Sequence, residues 1–147
     1  MRSRDDALRR WLPPIAWAAL TSFFSSSLFT GERTGAIIIP LLRWLFPSAS
    51  RAQLLFAHEI IRKLAHFAEY LVLGVLLYRA LRTESRPPLR AAATAVVLAA
   101  LWAASDELHQ AFVPGRTPAV RDVMIDVTGA IAGQGVVAAL PALRAQN

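Results

Sequence analysis

The stretch LRAAATAVVLAALWAASDELHQ, residues 89–110, decides the fold class. From Ala91 to Ala104 it holds no charge, and Thr94 is its only polar side chain. A helix on the surface of a soluble domain alternates apolar and polar faces every 3.6 residues; this run does not. As a helix, Ala91–Ala104 rises only about 21 Å, short of the ~30 Å hydrocarbon core of a bilayer. To span it, the helix must take in Asp106, Glu107, His109 and Gln110. The segment therefore reads as a membrane helix that ends in ionisable groups.

Working outward, the 147 residues are 55% hydrophobic and 18% charged, with mean hydropathy +0.41. Soluble domains carry about 25% charged residues, so lipid is the expected solvent. The length suits one unit. Similar apolar runs predict spans at about 11–29, 62–82, 90–110 and 122–141 in a single membrane domain, 1–147. Pro13 and Pro14 stand where a signal peptide's hydrophobic region would begin and no Ala-x-Ala cleavage site follows, so the first run is expected to be retained. Between the first two spans, Ala36–Phe46 is broken by Pro40 and closed by Pro47. It is too short to cross and reads as an interfacial or re-entrant piece, with Arg43 and Trp44 at head-group depth. Ser50 is a helix-cap residue opening an approach helix through Ile61, on which His58 is expected at the interface. Pro87–Pro88 and Pro114–Gly115–Arg116 are turns. The fold class is all-α: an integral membrane bundle of about four helices with one short interfacial or re-entrant segment.

The net charge is +6, and every basic residue but Lys63 is Arg. The arginines punctuate apolar runs and form no stripe on a soluble face, which argues for lipid head groups as partner and against nucleic acid. There is no cysteine, which excludes disulfides, thiolate metal sites and a cysteine nucleophile. Four spans put both termini on one side, together with Arg2, Arg4, Arg9, Arg10, the arginines of 79–90 and Arg144. The positive-inside rule makes that side the cytoplasm.

This topology has a consequence for the acids. His66 and Glu69 open the second span, Asp106 to Gln110 close the third, and Asp122 and Asp126 open the fourth, all at one outer depth. Lys63, His66, Glu69 and Tyr70 form one helical stripe, Asp106, His109 and Gln110 a second, and Asp122, Asp126, Gly129 and Gly133 a third. Charge in a membrane is expensive, so such residues face the interior or a wet cavity and need partners; Arg62, Lys63 and Arg116 are the available cations. Purely structural pairing between helices is one reading of the cluster, and a functional site is the other. As a site, His66, Asp106, Glu107 and His109 are candidate acid–base groups. Lys63, Glu69, Tyr70, Gln110, Arg116 and Asp122 are candidate ligand-binding residues, Arg116 and Lys63 for a phosphate or carboxylate. His66, Asp106 and Asp122 offer nitrogen and oxygen ligands suited to a divalent metal, without any HExxH-type spacing, and the sequence requires no cofactor. Ser25, Ser26, Ser27 and Ser105 lie in no nucleophile-elbow pattern and are expected to satisfy helix ends.

These residues also carry a resemblance. Arg62–Tyr70 (RKLAHFAEY) with Leu73–Gly74, Asp106–Arg116 (DELHQAFVPGR), then Asp122 and Gly129, and the serine-rich end of the first run, resemble the VanZ-like family over nearly the whole chain. The resemblance implies a multi-pass protein of the bacterial plasma membrane with about four spans. It points to Lys63, His66, Tyr70, Asp106, Glu107, Gln110, Pro114, Gly115, Arg116 and Asp122. Position 126 is often Asn in that family, which sets Asp126 outside the shared role, and His109 stands less firmly than Asp106 and Gln110. The namesake is associated with low-level resistance to teicoplanin. The functions it suggests are a protein engaging a lipid-linked envelope precursor or a lipoglycopeptide, an intramembrane hydrolase or transferase on a phosphate-bearing lipid, or a structural partner of envelope-assembly machinery.

Overall fold

Helix caps and prolines set the element boundaries. The computed structural model describes residues 2–83, 86–113 and 119–140, and among them holds five helices and no strand. Helix α1 is Arg2–Phe24, α2 Gly31–Leu45, α3 Arg51–Leu81, α4 Pro88–Gln110 and α5 Val120–Ala139. Helix α3 opens on a reciprocal capping box: Gln53 N donates to the Ser50 hydroxyl and Ser50 N donates to the Gln53 side chain. Helix α4 takes Pro88 in its first turn, where the missing N–H costs nothing. Thr30 caps α2 by accepting from Arg33 N.

The first two elements differ from expectation. Helix α1 stops at Phe24, a 3₁₀ turn follows at Ser27–Phe29, and the chain bends by 60° into α2. The expected insert 36–46 is part of a 15-residue helix that absorbs Pro40. Helix α2 folds back on the start of α3, where Thr34 Oγ1 lies 3.1 Å from His58 Nε2 and Leu42 and Leu54 are buried. His58 is thus buried between α2 and α3. Burial pushes its pKa down, and the nearby Arg62 cation adds to this while Glu59 opposes it.

By length and apolarity, α4 and α5 each qualify to cross a membrane, and the bent α1–α2 pair qualifies as a third crossing if taken together. The expected set of four independent spans is therefore met only in part. Helix α3, carrying Lys63, His66, Glu69 and Arg79, is the central helix and is touched by all the others.

The buried faces of α4 and α5 are small. Ala91, Ala95, Ala99 and Ala103 form an i, i+4 ridge on α4, each no more than 1% exposed. On α5, Gly129 and Gly133 let the backbone of α3 approach so closely that a Cβ at Gly129 would sit 2.3 Å from Phe67 O, and one at Gly133 2.5 Å from Leu71 O. Large apolar side chains instead face outward: Leu12, Ile15, Val97, Leu101, Met124 and Ile131 are all exposed. Small residues where α4 and α5 meet α3, packed beside the buried Tyr70, Leu73, Leu77 and Tyr78 of α3, with large apolar side chains on the perimeter, suit the packing of helices in lipid.

Candidate functional site

The polar groups cluster near one end of the helices, and each joins two elements. Asp106 on α4 accepts a hydrogen bond from Ser25 at the end of α1 and, at 3.0 Å, from Gln110 Nε2 one turn further on. Ser22 Oγ lies 3.4 Å from the other carboxylate oxygen, and Gln110 Nε2 also donates to Ser25 Oγ at 3.2 Å. One carboxylate thereby fixes the end of α1 on the end of α4. Trp102 Nε1, 3.4 Å from Thr21 Oγ1, adds a second tie between the same helices.

Helices α3 and α5 are tied by two ionisable pairs. Lys63 Nζ is 3.1 Å from Asp122 Oδ1 and 3.0 Å from Glu59. Deeper, His66 Nδ1 lies 3.3 Å from Asp126 Oδ1. That is ion-pair distance, although neither atom makes a well-directed hydrogen bond among the described residues. Asp126 is 4% exposed. Tyr70, one turn along α3 and 2% exposed, has its hydroxyl buried without a partner among the described residues. Three buried polar atoms are thus left with unused hydrogen-bonding capacity in one region, which is costly in a low-dielectric interior. Glu107 is half-buried and accepts from Ala119 N, fastening the end of α4 to the start of α5.

An open-sided cavity of about 230 Å³ lies beside this layer, between the end of α1, α2 and α3. Ser25, Thr34, Arg62, His66 and Glu69 supply its polar lining, and Phe24, Phe29, Ile38 and Ile61 supply most of the apolar remainder. The Arg62 guanidinium lies over Gly31, where any Cβ would collide with it. Trp17 Nε1 donates to Glu69 O at 2.9 Å, holding α1 against the turn of α3 that carries His66 and Glu69.

Against the expected site, the structure brings together Lys63 with Asp122, Asp106 with Gln110, and His66, Tyr70 and Glu69 along one helix. It does not bring His109 in: that side chain is exposed, about 100° round α4 from the buried Gln110. The proposed metal set of His66, Asp106 and Asp122 is divided among separate pairs. Among the described residues, no group of three or more histidine and carboxylate side chains stands close enough to hold a metal ion. Arg116, with Pro114 and Gly115, lies outside the described residues. Three residues contribute beyond what their sequence pattern indicates. Asp126 backs His66, Ser25 contacts Asp106 rather than only ending a helix, and Arg62, a counter-ion candidate, lines the cavity. The signal available for Asp126 was its i+4 spacing from Asp122.

Fold and site together describe a small all-helical protein with helices long and apolar enough to cross a membrane and a cavity of mixed lining walled by its first three helices. The family model described as VanZ/LLP1 matches residues 11–141, nearly the whole chain, and the chain belongs to that family. No curated protein and no solved structure matches it.

Proposed function

We propose that the cavity between α1, α2 and α3 binds the polar head of a lipid-linked cell-envelope precursor at the outer face of the bacterial plasma membrane. The observation that carries this reading is the cavity's divided lining. Arg62 and His66 suit a phosphate or pyrophosphate, while Phe24, Phe29, Ile38 and Ile61 suit the first carbons of its lipid. In this reading α3 is a fourth span and both termini are cytoplasmic. Its 31 residues rise about 46 Å, enough to cross a ~30 Å core and continue beyond it. A protein holding such precursors, or the lipoglycopeptide itself, would keep the two apart and give low-level teicoplanin resistance of the kind associated with the family's namesake. The test is retention of a polyprenyl pyrophosphate by the detergent-purified protein, read by native mass spectrometry, beside teicoplanin susceptibility of cells expressing it. Loss of both in Arg62→Ala and His66→Ala, at unchanged protein level, is expected. Retention and susceptibility equal to wild type in both variants would overturn the reading.

A second reading, an intramembrane hydrolase or transferase, is favoured by one further observation: the two cavity-lining groups Ser25 and His66 are each backed by a carboxylate, Asp106 and Asp126 respectively. A hydroxyl that donates to a carboxylate and an imidazole poised by another are the parts of acid–base chemistry. Phosphate release from the same pyrophosphate, supplied with divalent cations, would support it if abolished by Ser25→Ala. No release by the wild type sinks it.

A further inference from the structure

A second cavity, of about 190 Å³, lies between the start of α1 and the end of α3, lined by Arg9, Arg10, Pro13, Leu76 and Arg79. Arg79 follows His66 by thirteen residues, about 20 Å along α3, so this cavity is well separated from the polar layer. Three guanidinium-bearing residues from segments some seventy positions apart line one small space. Each guanidinium is a planar fork matched to phosphate oxygens.

The prolines add a complementary feature. Pro13 and Pro14 lie inside α1 and have no N–H. The carbonyls of Arg9 and Arg10, four residues earlier, therefore lack the donor that an unbroken helix supplies. The same turn presents donors for an anion and carbonyl acceptors for a neighbouring ammonium or hydroxyl. Leu76 and Pro13 give the space an apolar wall, and the exposed Leu8, Leu12 and Ile15 continue the apolar surface along α1.

We propose that Arg9, Arg10 and Arg79 form a binding site for a phosphate-bearing head group, with a membrane phospholipid as its natural source. The bland account of these arginines is topological: cationic residues stay on the cytoplasmic side and need no ligand. That account predicts no preference for one set of arginines over another in lipid retention. The lipid site does.

Native mass spectrometry of the full chain in detergent separates the two. The ligands are phosphatidylglycerol, phosphatidylethanolamine, a diacylglycerol with the same acyl chains, and inorganic phosphate. Wild type is expected to retain the two phospholipids and not the diacylglycerol. Replacing Arg9, Arg10 and Arg79 together by Gln is expected to weaken retention at least about tenfold. A charge-matched control, Arg43, Arg51 and Arg121 to Gln, is expected to leave it unchanged. Displacement of the lipid by free phosphate at millimolar level supports the site and assigns the recognition to the phosphate alone; resistance to displacement supports it with the lipid as ligand. Equal loss in the two triple variants, or equal retention of diacylglycerol and phospholipid by wild type, overturns the proposal. The wild-type comparison stands even if the triple variant does not fold.

Discussion

The close approach of α3 and α5 makes a prediction about one hydrogen-to-methyl change. In Gly129→Ala the new Cβ would stand 2.3 Å from Phe67 O, 3.1 Å from Phe67 C and 3.2 Å from Leu71 N, all backbone atoms. A carbon-to-oxygen contact is comfortable at about 3.3–3.6 Å, so the two helices must part by roughly 1 Å at this point. A gap of that size forfeits about a quarter to a half of the dispersion attraction between the surfaces it separates. Because the obstruction is backbone, no side chain can rotate away. Overpacking of this kind costs about 1–3 kcal/mol. Gly135 lies on the same helix with nothing within 4 Å of its ideal Cβ, so Gly135→Ala should gain about 0.5–1 kcal/mol from helix propensity alone. The assay is thermal unfolding in detergent followed by intrinsic fluorescence of the four tryptophans. The two variants should move the midpoint in opposite directions. Equal shifts, or a stabilised Gly129→Ala, would refute the close packing of α5 on α3.

The remaining predictions concern the polar contacts. Ser25→Ala removes a donor to Asp106 and an acceptor for Gln110, so it should cost about 1–3 kcal/mol in the same melt; a change within error would show that Asp106 is satisfied without it. Asp126→Asn keeps the shape beside His66 and should fold with near wild-type stability, whereas Asp126→Leu should lose about 1–3 kcal/mol. Equal behaviour of the two would remove the His66 contact from the account. His58 is held neutral by burial, so its folded pKa lies below its unfolded value near 6.5. Above that value it adds no pH dependence; as pH falls below it, the unfolded chain takes up a proton that the folded chain resists, and stability drops. Melts from pH 8 to pH 5 should therefore fall more steeply for wild type than for His58→Asn, and parallel curves would exclude His58 as the cause. Lys63→Met breaks two ion pairs with partly exposed partners and should cost no more than about 1 kcal/mol.

Much of this arrangement was legible in the sequence because helix geometry converts spacing into direction. Asp122, Asp126, Gly129 and Gly133 fall within about 60° of arc at 100° per residue, and the structure turns that arc toward α3. The same arithmetic explains the failure at His109. Relative to Asp106, Gln110 lies at about +40° and the buried Ala103 at about +60°, while His109 lies at about −60°. Spacing of i+3 admits either flank of a stripe, and the alanine ridge, not the polar pattern, marks which flank faces inward. Ser25 was illegible for another reason. Its partner Asp106 is eighty-one positions away, and only tertiary packing of α1 on α4 joins them. Helix α2 is longer than Pro40 suggests, because a proline removes a single backbone hydrogen bond and Gly35 and Leu42, on either side of it, are still buried.

The division between small and polar residues explains how so short a chain can keep a cavity open. Where Gly74, Gly129, Gly133 and the alanine ridge bring α3, α4 and α5 together, backbone meets backbone and no space is left for a ligand. Helix α1 packs on that core through Trp11, Trp17 and Ala18, and Trp17 and Ser25 add hydrogen bonds to α3 and α4. Large side chains on α1 and the Arg-bearing turns beside it do not close on one another as glycine and alanine do, and both arginine-lined cavities border α1. The close-packed helices α3, α4 and α5 thus leave the space beside α1 and α2 as the place where Arg62, His66 and Ser25 can meet a ligand.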